Sequence, residues 1–160
     1  MTDRAAAGRD GYETLRAYLR GTNWAAAEEP ERMLFRARTE LDLCPVEYYF
    51  RVLLERCEFL FYIVPEIEVP EHLLHAVAEY VCRVNSGMRI GNFELDFGNR
   101  HLRFKSSVNF TDTRLTEALI AGAVKPALTA FDEYFIGLAR VLAGVATPAQ
   151  AINDIDYGVP

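Results

Sequence analysis

His72, His75, Glu79 and Cys82 are four side chains able to bind a divalent metal, spaced three, four and three residues apart. At about 100° per residue they fall within roughly 80° of one another on a helix. The same rotation sets them opposite the apolar stripe of Leu73, Val77, Tyr80, Val81 and Val84, where a half-buried helix keeps its solvated residues. A single helix rarely presents a closed ligand set, so a wet helix face is the better account. Cys44, Cys57 and Cys82 could be paired with one of three histidines as nucleophile and base, but no local motif pairs them. Small core residues are the plainer role for these thiols. Glu94 and Asp96 project from one strand face about 6 to 7 Å apart, a spacing fit for acid–base work and equally common on solvated strands. Gly87, Gly91 and Gly98 form no phosphate loop, since none stands between a strand and a helix N-terminus. No catalytic residue, cofactor or metal is therefore expected, and the chain reads as non-enzymatic.

Composition narrows the class further. A chain of 160 residues is enough for one domain with a sizeable core, and an apolar fraction of 51% with 25% charged residues is that of an ordinary globule. The net charge of −6 repels phosphate backbones and anionic lipid, so neither nucleic acid nor a membrane is expected as a partner. The longest purely apolar run, Phe59 to Pro65, is far short of a membrane span, and residues 1–10 lack the apolar core of a secretory signal. Three cysteines at wide spacing suit reduced thiols in the cytoplasm.

The elements that would position these side chains follow from periodicity. Residues 1–9 are small, polar and aperiodic and are expected to fray as a disordered N-terminus. Tyr12, Leu15, Tyr18 and Leu19 share one helical face, which Gly21 ends. From Arg32 to Val64 the period is two. Met33, Phe35 and Ala37 form one register, Val46, Tyr48, Phe50 and Val52 the next, and Phe59, Phe61 and Ile63 a third, with a short corner at Glu55-Arg56. Pro65 and Pro70 close this meander. Pro70 then opens a helix over the Leu73–Val84 stripe, with Asn85 and Gly87 as end signals. Phe93, Leu95 and Phe97, a Gly98-Asn99 turn, and Leu102 to Phe110 make a hairpin. Thr116 caps a final helix carrying Leu119, Ala123, Phe131, Phe135, Leu138 and Leu142, which Pro126 should kink or split, and Thr147-Pro148 starts one further helical turn.

The resulting order, α-βββ-α-ββ-α, predicts an α+β domain: a single five-stranded antiparallel sheet with three principal helices packed mainly on one face. The opposite register is only partly polar. Leu34, Tyr49, Leu53, Leu60 and Tyr62 belong to it, and a monomer that leaves such a surface wet points to a partner or a second copy. Arg36, Arg38, Arg51, Arg103 and Lys105 are expected to pair across strands with Glu40, Glu47, Glu94 and Asp96.

One segment carries a resemblance. Arg83-Val-Asn-Ser-Gly-Met-Arg-Ile-Gly-Asn-Phe-Glu-Leu-Asp96 is similar to the signature of the YbjN family, small bacterial proteins described as sensory-transduction regulators. Thr116-Glu-Ala-Leu119, Tyr134-Phe135 and Thr147-Pro-Ala-Gln-Ala151 also resemble that family's C-terminal half. The resemblance spans residues 10–155, leaving 156–160 as a tail, and implies an architecture like that of type III secretion chaperones, which act as small acidic dimers. It supplies no catalytic residue, and it makes Asn85, Gly91 and Phe93 structural. The Tyr- and Leu-rich first strands, Pro126 and the tail from Asp154 depart from the pattern.

These readings converge on a cytoplasmic protein-interaction module. It would be a chaperone-like or regulatory adaptor whose partner is another protein, itself as a homodimer, or both. The alternative is a small-molecule-binding sensory domain.

Overall fold

The computed structural model describes residues 4–156. Six antiparallel strands form one sheet in the order β1-β2-β3-β4-β6-β5: β1 (Ala27–Glu29), β2 (Leu34–Glu40), β3 (Pro45–Leu53), β4 (Glu58–Pro65), β5 (Asn92–Asp96) and β6 (His101–Asn109). The helices are α1 (Arg4–Gly21), α2 (Leu74–Gly87), α3 (Glu117–Leu142) and α4 (Pro148–Asp156). The expected antiparallel α+β architecture is present, with one more strand and one more helix than its spacing predicts. The added strand is β1, three residues long and too short to show an alternation. The expected turn after Thr147 extends to nine residues as α4.

The inner face of the sheet is apolar because alternate residues of each strand point one way. Val46, Tyr48, Phe50 and Val52 of β3 and Phe59, Phe61 and Ile63 of β4 are buried there, and all join one continuous core with the helices. From α2 come Leu74, Val77, Tyr80, Val81 and Val84. From α3 the buried stripe is Ile120, Ala123, Val124, Ala127, Phe131, Phe135, Leu138 and Val141, so the expected Leu119 and Leu142 sit one position off it. Tyr80 ties α2 to α3 by donating its hydroxyl hydrogen to the Tyr134 carbonyl at 2.6 Å.

Several expectations are corrected. Residues 4–9, expected to fray, are the first turns of α1. Gly8 explains why: a Cβ there would stand 2.5 Å from the Leu54 backbone, so the helix lies directly on the turn after β3. Residues 1–3, and the tail beyond 156, lie outside the described residues. Met33 does not open the β2 register. It takes a left-handed conformation (φ 50°) closing the 3-10 turn Pro30–Arg32, and Leu34 becomes the first strand residue. Pro126 does not split α3, which is continuous for 26 residues. The N–H it lacks would have bonded the carbonyl of exposed Gly122, where water can take its place. The hydroxyl of Thr116 caps this helix by accepting the Leu119 N–H at 3.2 Å. Thr147 and Gln150 cap α4 reciprocally, at 3.3 and 2.9 Å.

Candidate functional site: the outer face of the sheet

Register places the outer face. Tyr49 lies beside Tyr62, which lies beside Lys105, while Leu34, Arg51, Leu60 and Ser107 make the next row and Leu53, Glu58 and Asn109 the last. All five residues expected at an interface, Leu34, Tyr49, Leu53, Leu60 and Tyr62, therefore share this face. The helices pack against the other one. Yet the five are not one apolar patch. Leu34 is only 4% exposed, flanked across the strands by Glu29 and Arg51, whose long stems can cover it. The other four are half-buried.

Ion-paired side chains lie against two of these four, Tyr49 and Tyr62. Arg36 bonds Glu47, and Tyr49 donates its hydroxyl hydrogen to the same carboxylate. Glu94 accepts from Arg103 at 2.6 Å and from Lys105, and the Arg103 guanidinium lies 4.8 Å from the centre of the Tyr62 ring. Arg38 bridges Glu40 at 3.2 Å and also reaches Glu66. The bond from Tyr49, with the guanidinium of Arg36 beside it, holds the Glu47 carboxyl below the usual range, although its partial burial acts the other way. Glu94 is also held low: burial opposes this, but Lys105 and Arg103 outweigh it. The expected cross-strand pairing is thus found for Glu47 and Glu94, whereas Glu40 pairs with Arg38 of its own strand. Asp96 instead turns to its own corner, where it accepts the Gly98 and Asn99 N–H groups at 2.7 and 3.1 Å.

Between Leu53 and Leu60 the lattice opens into a hollow of about 450 Å³ that is open to solvent. Arg51 and Arg56 stand at its rim, and Glu58, Lys105 and Ser107 also line it. Arg51 is the strand-borne cation of this face that makes no ion pair among the described residues, and Arg56 makes none either. Arg51 does not find its expected cross-strand carboxylate among the described residues. Its cross-strand neighbours, Leu34 and Leu60, become visible only with the register.

The remaining chemistry-bearing residues are scattered. His72, His75, Glu79 and Cys82 are exposed along one side of the second helix and of the turn before it; Glu79 pairs with Arg83 at 2.7 Å. Among the described residues no group of three or more His, Cys, Asp or Glu side chains could hold a metal ion. Cys57 is buried, but Cys44 is half-buried and Cys82 exposed, so two of the three are not the core residues expected. No helix among the described residues is long and apolar enough to cross a membrane.

The Asn85–Phe93 motif has a clear geometric role. The Asn85 side chain accepts the Phe93 N–H at 2.8 Å and donates to the Phe93 carbonyl at 2.9 Å. It occupies the backbone groups of β5 that face away from β6, as a neighbouring strand would. Gly91 is required beside it: its φ is +77°, and a Cβ would meet the Phe104 ring at 2.4 Å. Phe93 then packs edge-on to Phe104, with ring centres 5.0 Å apart.

A helix-backed antiparallel sheet whose second face carries an ion-pair lattice defines a class of small α+β domains. The chain belongs to the YbjN family, whose description is "Putative bacterial sensory transduction regulator"; the match covers residues 12–140. A solved structure similar to it is that of "YbjN, a putative transcription regulator from E. coli", with 15% identity over 82% of this chain and 88% of that one and a TM-score of 0.60. At that identity the likeness shows the fold alone. No curated protein matches the chain.

Proposed function

We propose that the protein is a non-enzymatic regulatory adaptor, chaperone-like in its mode of action, that works in the cytoplasm by binding another protein or a second copy of itself on the outer face of the sheet. One observation carries the reading: among the described residues no helix packs on this face, yet it retains Leu53, Leu60, Tyr49 and Tyr62. The alternative, a small-molecule-binding sensory domain, asks for an enclosed cavity. The two hollows on the outer face, of about 450 and 460 Å³, are open. The family description, a regulator, agrees with an adaptor.

The test is the double variant Leu53→Lys/Leu60→Lys, compared with Phe61→Lys on the buried inner face. The outer-face variant should keep its circular dichroism and melting behaviour and lose self-association or cross-linking to its partner. The inner-face control should unfold, since an unpaired buried charge costs several kcal/mol. An outer-face variant that keeps all its associations would reject the reading.

A further inference from the structure

Resting on that reading, we infer that the hollow between Leu53 and Leu60 takes a short acidic segment of a partner protein. An apolar side chain of the segment lies on the two leucines, and its carboxylates lie on Arg51 and Arg56. The outer face spends its other strand-borne cations internally: Arg36 on Glu47, Arg38 on Glu40 and Glu66, Arg103 and Lys105 on Glu94. Among the described residues Arg51 and Arg56 are left without a carboxylate, at one end of the sheet, in a chain whose net charge is −6. Both are exposed, so their guanidiniums are free to form the paired N–H bonds that carboxylates accept.

The lining contains one opposing group, Glu58, half-buried between Leu53 and Asn109 across the strands. Two unbridged guanidiniums outweigh it, and the Lys105 ammonium is already held by Glu94.

Two other occupants fit less well. A second copy docked by a two-fold axis through this hollow would set guanidinium against guanidinium, since such an interface joins identical patches. A nucleic acid would meet a floor of leucine and a chain that repels phosphate overall. An acidic segment with an apolar anchor satisfies both the cations and the leucines of the lining.

The experiment measures fluorescence anisotropy on the full chain with three labelled probes: a peptide alternating Glu and Leu, its Lys–Leu counterpart, and a single-stranded DNA oligonucleotide. The Glu–Leu peptide should bind and the other two should not. Its affinity should fall about tenfold or more between about 0.1 M and about 1 M salt, where the screening length shrinks from roughly 10 Å to 3 Å. Arg51→Glu/Arg56→Glu, with unchanged circular dichroism, should also weaken it about tenfold or more, while Arg51→Lys/Arg56→Lys, which keeps the charge but not the paired N–H bonds, should lose less than the reversal. Equal binding of both peptides, tighter binding of the DNA, no binding of the Glu–Leu probe, or indifference to the double reversal would each overturn the inference. The broader reading stands or falls separately, on whether Leu53→Lys/Leu60→Lys abolishes self-association and partner cross-linking.

Discussion

At the scale of single residues, the side chains that matter most are those whose polar atoms are committed or conspicuously uncommitted. Ser106 is the second kind. It is 2% exposed on the inner face, beside Phe61, and its hydroxyl has no hydrogen-bond partner among the described residues. A buried hydroxyl without a partner costs free energy, so Ser106→Ala should stabilise the protein by about 1 kcal/mol, read as a raised denaturant midpoint at unchanged slope. Asn85 is the first kind. Asn85→Ala strips both groups from Phe93 and should cost about 1–3 kcal/mol, with faster hydrogen exchange at the Phe93 amide as the local readout. Asn85→Asp should do little better, since a carboxylate replaces the donor with a second acceptor facing a carbonyl. The family resemblance implies a structural role for Asn85 and Phe93. It does not reveal the pair of bonds, because helix end and strand meet only in the folded chain.

At the scale of elements, alternation and helical spacing are enough to read five strands, the main helices and the caps at Thr116 and Thr147. They fail where geometry is set by a neighbour rather than by period. The start of α1 is fixed by the Leu54 backbone under Gly8, and β1 is held by pairing of Ala27–Glu29 with Leu34–Arg36. Gly8→Ala forces that contact apart and should cost about 1–3 kcal/mol. The same two elements are clasped by Glu28. Its carboxylate accepts from Tyr12 at 2.9 Å and from two nitrogens of Arg16 at 3.1 and 2.5 Å. Burial, and then the Glu28 carboxylate, push the Tyr12 phenol up to about 12. The Arg16 guanidinium holds the Glu28 carboxyl below its ordinary range, against a smaller opposing effect of burial. A depressed folded value means that the stabilisation is present above the ordinary carboxylate range and is lost as pH falls through the folded value. Glu28→Gln should therefore lower the melting temperature at neutral pH and flatten its decline on acidification. An unchanged acid slope would show that Glu28 contributes nothing to it.

For the whole molecule, the core is one cluster that draws on α1, α2, α3, α4 and the inner face of the sheet. Near- and far-ultraviolet dichroism should accordingly lose their signal at one midpoint; separated midpoints would mean that the helices and sheet unfold independently. The outer face was only half legible at this scale. Its five apolar members could be assigned to one side by parity, but the salt lattice that screens Tyr49 and Tyr62 depends on which strands lie side by side, and β6 rather than β5 is next to β4. Both lateral ends of the sheet offer little to a further strand. One edge strand is three residues long and followed by Pro30, and the other has the N–H and carbonyl of Phe93 taken by the Asn85 amide. Addition of molecules edge to edge, which can continue without limit into ribbons, is disfavoured on both sides. A face, by contrast, has room for one occupant, so the binding proposed for this one would close at a small fixed stoichiometry.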